Sequence, residues 1–166
     1  MRLTQYAGYS LRVLIYAGLR GRELSTIADI SDAYGASRNH LMKVVQQLTS
    51  EGFLESRRGK KGGVRLAVAP EDLTVGAVVR AMEPCFGMAE CMRVSNECVL
   101  TPACRLRAKL AEASEAFLAV LDEVSLADIL HDTGHQAVLR NLLDVEEGEL
   151  SPLIAPACPR SVAATV

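Results

Sequence analysis

Residues 34–48 read YGASRNHLMKVVQQL, a turn that contains glycine followed by a stretch with helical spacing. Ser37 favours the position before a helix, because its hydroxyl can accept a hydrogen bond from an early backbone N–H. Apolar residues then recur on one helical face, at Leu41, Val44, Val45 and Leu48. The stretch therefore predicts a helix that buries this face and exposes Asn39, Lys43 and Gln46.

Two helices are predicted before this stretch. The first runs from about Thr4 to Leu19 and ends near Gly21. The second is short, with Ser25 as its expected cap, and it leads into the turn at residues 34–36. A helix, a tight turn with glycine and another helix form the outline of a helix-turn-helix motif. The sequence therefore predicts this motif, with the later helix in the recognition position.

Residues 53–68 have a different pattern, which is typical of two short strands. Val64, Leu66 and Val68 alternate with other residues, and nearby glycines permit a tight turn. The turn at residues 57–63 reads RRGKKGG and holds four cations, Arg57, Arg58, Lys60 and Lys61. The pattern predicts a two-stranded wing with a strongly basic tip.

The formal charge of −2 hides an asymmetry along the chain. Residues 1–67 hold eleven Lys and Arg against five Asp and Glu, a balance of +6, whereas the remainder has seven against fifteen, a balance of −8. A basic first part favours an anionic partner, and double-stranded DNA suits a helix-turn-helix with a wing. The residues expected to contact it are Ser37, Arg38, Asn39, His40 and Lys43 in the major groove, and Arg57, Arg58, Lys60 and Lys61 on phosphates or in the minor groove.

Three cysteines, Cys91, Cys98 and Cys104, lie close together after a predicted helix that ends at Pro84. Soft metals prefer sulfur, and an irregular loop can fold round them, so this spacing favours an iron-sulfur cluster or a zinc ion. The intervals between the cysteines are wider than those of common zinc knuckles. Cys85 is a candidate fourth ligand or a helix-end residue, and Cys158 is expected to be a bystander.

A long amphipathic helix is predicted after the loop. Thr101 is a suitable cap and Pro102 suits the first helical position, which would place Cys104 in the first turn, where the helix dipole stabilises a thiolate. Apolar residues follow at heptad spacing, at Leu106, Leu110, Ala113, Phe117, Val120 and Val124. Such a seam favours a partner helix, so we expect a homodimer.

Other classes of protein have little support in this sequence. No apolar run approaches the ~20 residues that span a bilayer, and the first residues do not resemble a signal peptide, so a cytoplasmic location is expected. There is no phosphate-binding loop and no convincing Ser-His-Asp set, so the chain is not expected to be an enzyme. A zinc-stabilised DNA-binding protein remains an alternative.

Four segments carry a family resemblance, namely MRLT with LRVLIY at residues 11–16, YGASRNHL at 34–41, RGKKGGVRL at 58–66 and TPACRL at 101–106. These segments resemble the Rrf-type winged-helix regulators over roughly residues 1–130. The resemblance implies a homodimeric repressor that binds operator DNA while it carries an iron-sulfur cluster and releases it when nitric oxide destroys the cluster. It also implies Cys91, Cys98 and Cys104 as the cluster ligands, and it favours a 4Fe-4S cluster, with 2Fe-2S as the alternative.

Two positions refine this resemblance. The branch of the family that regulates iron-sulfur assembly has a histidine where this chain has Arg107, so the nitric-oxide-sensing branch is favoured. That branch usually has an aspartate as fourth ligand where this chain has Gly8, which has no side chain to coordinate iron. The fourth ligand is therefore left open between another residue, Cys85, and a small molecule or water. A regulator tuned to redox state or iron supply is the remaining alternative.

The expected fold is mainly α with a small β wing, a winged helix-turn-helix domain joined to a long dimerisation helix. The predicted domains are a DNA-binding domain at 1–68, a connecting helix at 69–84, a cluster-binding loop at 85–101, a dimerisation helix region at 102–131 and a C-terminal extension with a largely disordered tail at 132–166.

Overall fold

The computed structural model describes residues 3–83, 86–87, 89–92, 95–131 and 133–145. Its helices and strands are α1 (Gln5–Arg20), α2 (Ile27–Tyr34), α3 (Arg38–Ser50), β1 (Leu54–Arg57), β2 (Gly63–Leu66), α4 (Val75–Met82), α5 (Arg105–Asp122), α6 (Leu126–Leu130) and α7 (Thr133–Leu143). The predicted fold class, helical with a two-stranded wing, is confirmed. None of the described helices is long and apolar enough to cross a membrane. Pro84, Cys85, Cys158 and the tail at 146–166, which the sequence analysis discussed, lie outside the described residues.

The first two helices begin at threonine caps. The Thr4 hydroxyl accepts a hydrogen bond from the Ala7 N–H at the start of α1. Thr26 and Asp29 form a reciprocal capping box at the start of α2. The prediction of Ser25 as this cap is wrong by one residue, because Ser25 is instead paired with the wing. Gly35 ends α2 with a φ of 60°, a left-handed conformation that glycine adopts without strain.

The core lies where α1, α2 and α3 meet. Ala17 of α1, Ile30 of α2 and Leu41 of α3 are each 0% exposed. The predicted buried face of α3 is confirmed, because its buried residues are Leu41, Val44, Val45 and Leu48. Burial of one such aliphatic side chain contributes about 1.5–3 kcal/mol, so this core holds the recognition helix firmly against α1.

The wing is an antiparallel pair in which Leu54 lies opposite Leu66. A further bridge joins it to the segment before α2, since Ser25 and Val64 exchange two backbone hydrogen bonds of 2.8 Å. A Cβ atom at Gly63 would lie 2.7 Å from the Ser25 carbonyl oxygen, so this close approach requires glycine. The wing is thus fixed at its base while its tip projects.

The connecting helix α4 packs closely on the end of α5. A Cβ atom at Gly76 would lie 1.9 Å from a carboxylate oxygen of Asp122, so only glycine allows this contact without a shift. Arg80 donates two hydrogen bonds to the Asp122 carboxylate, and this interaction lowers the pKa of Asp122. The backbone N–H of Val75 also donates to the carbonyl of Val124, at 2.8 Å. These contacts join the two helices into one unit.

The long helix differs from its predicted limits at both ends. Residues Thr101–Ala103 form a separate 3₁₀ turn, so α5 begins at Arg105, with Cys104 in the cap position. The prediction that Thr101 caps the helix and that Cys104 lies in its first turn is therefore wrong. The helix ends at Asp122, so the predicted heptad repeat stops before Val124. Tertiary pairing with α4, described above, takes over at that point.

Candidate DNA-binding surface and cysteine loop

The recognition helix α3 presents a continuous polar surface. All five of the residues predicted to enter the major groove are exposed, namely Ser37, Arg38, Asn39, His40 and Lys43. Ser37 forms no capping hydrogen bond with the described helix, in contrast to Thr4, Thr26 and Thr74 at the starts of their helices. Its hydroxyl and the first N–H groups of α3 are therefore free to meet an anionic group.

Two contacts position α3 from its neighbours. The Tyr6 hydroxyl of α1 donates to the Lys43 carbonyl at 2.8 Å. Arg38 lies 3.5 Å from the Asp32 carboxylate, but both side chains are well exposed and such a pair contributes little stability. The tyrosine contact is therefore the one that connects the backbone of α3 to the start of α1.

The tip of the wing is a cluster of exposed positive charge. Arg57, Arg58, Lys60 and Lys61 are all exposed, and they form no ion pair with any residue that the structure describes. Arg65, further along β2, pairs instead with Glu55 directly across the wing. The unpaired cations are therefore concentrated at the tip, where a phosphate backbone could approach them.

A group of aromatic side chains holds α2 against α1. The Tyr34 hydroxyl donates to the Arg12 carbonyl at 3.0 Å, and the Arg12 guanidinium lies over the rings of Tyr9 and Tyr34. Burial raises the pKa of Tyr34 to about 12, so its hydroxyl keeps its proton and remains a donor at physiological pH. These contacts fix the angle of the helix-turn-helix.

The three predicted ligand cysteines lie in different local structures. Cys91 is in a 3₁₀ turn, Cys98 is in an irregular segment, and Cys104 is the cap of α5. All three are half-buried free thiols. Asn96, which the sequence analysis did not single out, accepts a hydrogen bond from the Cys98 N–H and donates to the Thr101 hydroxyl. The Asn-x-Cys spacing is a turn signal that could have indicated this role.

The donor set suits a soft metal, but the thiols are not gathered round a single point. Within the described residues no group of three or more His, Cys, Asp and Glu side chains lies close enough to hold a metal ion. Beside Cys104 there is an open cavity of about 580 Å³, with Met92, Arg105 and Arg107 in its lining. Thiolates favour iron and zinc, so the chemistry of the cysteines fits the implied cluster, while the loop would have to draw them together.

The cysteine loop is connected to the DNA-binding half through Glu83, a second residue that the sequence analysis missed. Glu83 caps the C-terminus of α4 at the start of the loop, and its carboxylate accepts a hydrogen bond of 2.7 Å from the Thr4 N–H. Thr4 and Glu83 are 79 residues apart. No local pattern could have indicated this contact.

The predicted dimerisation seam of α5 is divided between two environments. Leu106 and Val120 are 63% and 62% exposed, and Ala113 between them is also exposed. Leu110 and Phe117 are half-buried, because the buried Ser114 and Leu118 mark the side that packs on the rest of the chain. The helix therefore shows an apolar outer stripe at a spacing of seven residues.

Comparison with known proteins identifies the family. A family profile described as "Rrf2: Iron-dependent Transcriptional regulator" matches residues 3–132. This chain belongs to the Rrf2 family. The HTH-type transcriptional regulator NsrR of Geobacillus kaustophilus is 48% identical over 150 residues, which cover 89% of this chain and 100% of that protein. NsrR of Bacillus subtilis is 48% identical over 132 residues, which cover 78% and 90%.

These relatives confirm the resemblance predicted from the four sequence segments, because NsrR is the Rrf-type regulator that those segments resemble. Solved structures agree on the fold of this Rrf2 chain. IscR of T. potens has a TM-score of 0.63 at 23% identity and covers 80% of this chain and 88% of its own. CymR of B. subtilis, titled the global cysteine regulator, has a TM-score of 0.62 at 23% identity and covers 79% and 97%. The chain is a transcriptional regulator with a winged helix-turn-helix.

Proposed function

We propose that this Rrf2 chain is a cytoplasmic, non-enzymatic repressor that binds operator DNA as a homodimer, carries an iron-sulfur cluster, and releases the DNA when nitric oxide damages that cluster. The observation that carries the proposal is the occurrence in one chain of an exposed basic surface on α3 and the wing and of three half-buried free thiols in one loop. The high identity to regulators named NsrR supports it.

The DNA-binding half would act through α3 and the wing. Asn39 matches the pattern of an adenine edge in the major groove, and Arg38 and Lys43 match that of guanine. The uncapped Ser37 suits a backbone phosphate at the helix N-terminus. The cations at the wing tip would add phosphate contacts, which supply affinity without reading sequence.

Cys91, Cys98 and Cys104 would hold the cluster as thiolates. When bound, an iron-sulfur cluster supplies iron that reacts with nitric oxide, a chemistry that protein side chains lack. Three thiolates leave one position for a weaker ligand, which favours a 4Fe-4S cluster. The Asn96 side chain, which bridges Cys98 and Thr101, would keep the last two cysteines in a fixed relation.

Two hydrogen bonds provide a connection from the cysteine loop to the recognition helix. Glu83 at the start of the loop binds the Thr4 N–H, and Tyr6 in the next turn of α1 binds the Lys43 carbonyl. A loop that relaxes on cluster loss would release or move Glu83, and α1 would transmit that movement to α3. This connection is a two-step contact chain within one protomer.

The dimer would set the distance between two recognition helices. The exposed stripe of Leu106, Ala113 and Val120 on α5 suits a second copy of the same helix. Helix-turn-helix dimers read half-sites about 34–36 Å apart, so a small change in α5 or α1 would reduce operator affinity.

Anaerobic native mass spectrometry with visible absorption, combined with titration of duplex DNA selected by the protein, tests the proposal. We expect a dimer with cluster mass that binds the duplex, and stepwise loss of both cluster and binding as nitric oxide is added. A colourless dimer that contains zinc, or a coloured dimer whose binding is indifferent to nitric oxide, would contradict the sensor assignment.

A further inference from the structure

Met42 is an exposed apolar side chain on an otherwise polar surface. It is 50% exposed, and it is the one large hydrophobic residue within the described winged-helix region, residues 3–68, that is strongly exposed. The buried face of α3 is formed by other residues, so Met42 contributes little to the core. An exposed methionine in this position gains stability from burial only when a partner covers it.

The position of Met42 on α3 places it among the residues expected to read bases. Residues three and four apart on a helix are surface neighbours. Met42 is therefore adjacent to Arg38 and Asn39 on one side and to Gln46 on the other, all of them exposed. Any duplex that meets these polar side chains would also cover Met42.

We propose that Met42 contacts the C5-methyl group of a thymine and so selects thymine at one position of each half-site. The inference rests on the proposed binding of double-stranded DNA. Among the base edges of the major groove, the thymine methyl is the apolar group, and a methionine side chain offers no donor to the polar edges. Its unbranched, polarisable thioether adapts readily to such a contact.

The test removes one methyl group at a time. The full-length, cluster-loaded protein first selects a duplex from a random double-stranded library under anaerobic conditions. Each thymine of the selected duplex is then replaced singly by deoxyuridine, which lacks only the C5-methyl. At one thymine in each half-site we expect binding to weaken by about fourfold, the value of one buried methyl-sized group.

The Met42→Ala variant decides whether that methyl is read by Met42. On the thymine duplex it should bind about fourfold more weakly than the wild type, and the deoxyuridine at the same position should cause no further loss. Met42→Leu, which keeps an apolar side chain, should retain sensitivity to the methyl. Because Met42 is half exposed, both variants should unfold at the wild-type temperature, which thermal denaturation verifies.

The outcomes separate this inference from the proposed function. If Met42→Ala loses the same factor as the wild type at every deoxyuridine, Met42 reads no thymine and the inference is overturned. If the wild type is insensitive to all the deoxyuridine replacements while it binds the duplex tightly, the inference is also overturned, but DNA binding stands. If the loaded protein enriches no duplex from the library, the proposed function itself fails.

Discussion

The winged-helix half and the segment from the cysteine loop into α5 are stabilised in different ways. In the first, side chains such as Leu41 and Ile30 are fully buried against other parts of the same chain. In the second, Val99 and Leu100 are 89% and 66% exposed, Leu106 is 63% exposed, and the thiols are only half-buried. The first half is complete by its own packing, whereas the second has the surfaces of a segment that is completed by a bound group and a second copy.

The largest effect expected from this difference concerns the cysteines. Cys98→Ala should abolish visible absorption and lower affinity for the selected duplex by roughly 10³-fold or more, to the level of non-specific binding. The fold of the winged-helix half should persist, because none of its core depends on Cys98. Absorption spectroscopy, duplex titration and far-ultraviolet circular dichroism together measure these three outcomes.

Cys158→Ala is the matched control for that variant, since it removes a cysteine that the sequence analysis assigned no role. It should leave both absorption and affinity unchanged. If Cys98→Ala kept its full visible spectrum, Cys98 would be removed from the set of ligands.

The second prediction addresses the half that packs on itself. Leu48→Ala should reduce the free energy of unfolding by about 3 kcal/mol, because Leu48 is 0% exposed and its truncation leaves a cavity between α3 and α1. Leu142→Ala provides the control, since Leu142 on α7 is 71% exposed and should change stability by less than about 0.5 kcal/mol. Urea denaturation measures both, and equal effects would contradict the assigned core.

The same difference explains which parts could be predicted from the sequence. The buried face of α3 repeats at a local helical spacing, and the wing follows from alternation and glycines, so both were confirmed. The limits of α5 were wrong, because they depend on pairing with distant residues, such as the Val75 hydrogen bond to Val124. The contact of Glu83 with Thr4 likewise joins residues whose proximity no local pattern specifies. The cysteine spacing indicated a ligand set, and the geometry of a loaded loop stays a prediction.

A third prediction separates affinity from sequence reading in the wing. The double change Lys60→Ala and Lys61→Ala should weaken binding to all duplexes about tenfold and reduce the slope of log affinity against log salt by roughly two, one for each lost phosphate contact. Titrations at several salt concentrations measure the slope. Lys109→Ala on α5, where Lys109 pairs with Glu112, should not change it. A loss confined to particular bases would contradict the phosphate assignment.

The smallest effect is expected at the junction of the two regions, and it tests whether they communicate. Glu83→Ala removes the acceptor for the Thr4 N–H, whereas Glu83→Gln keeps an oxygen that can accept the same hydrogen bond. Glu83→Ala should retain the visible spectrum and the wild-type unfolding transition of the core. The ratio of duplex affinity between the cluster-loaded and cluster-free protein should fall by roughly fivefold, a coupling at the low end of allosteric effects.

Two controls make this last experiment decisive. Glu83→Gln should restore most of the ratio, because the hydrogen bond rather than the charge is proposed to connect the loop to α1. Tyr6→Phe breaks the next contact in the chain, at the Lys43 carbonyl, and should reduce the ratio in the same way without altering the cluster spectrum. If both junction variants kept the wild-type ratio, the signal would have to reach α3 through the dimer contact of α5 instead, and the two regions would be coupled between protomers rather than within one.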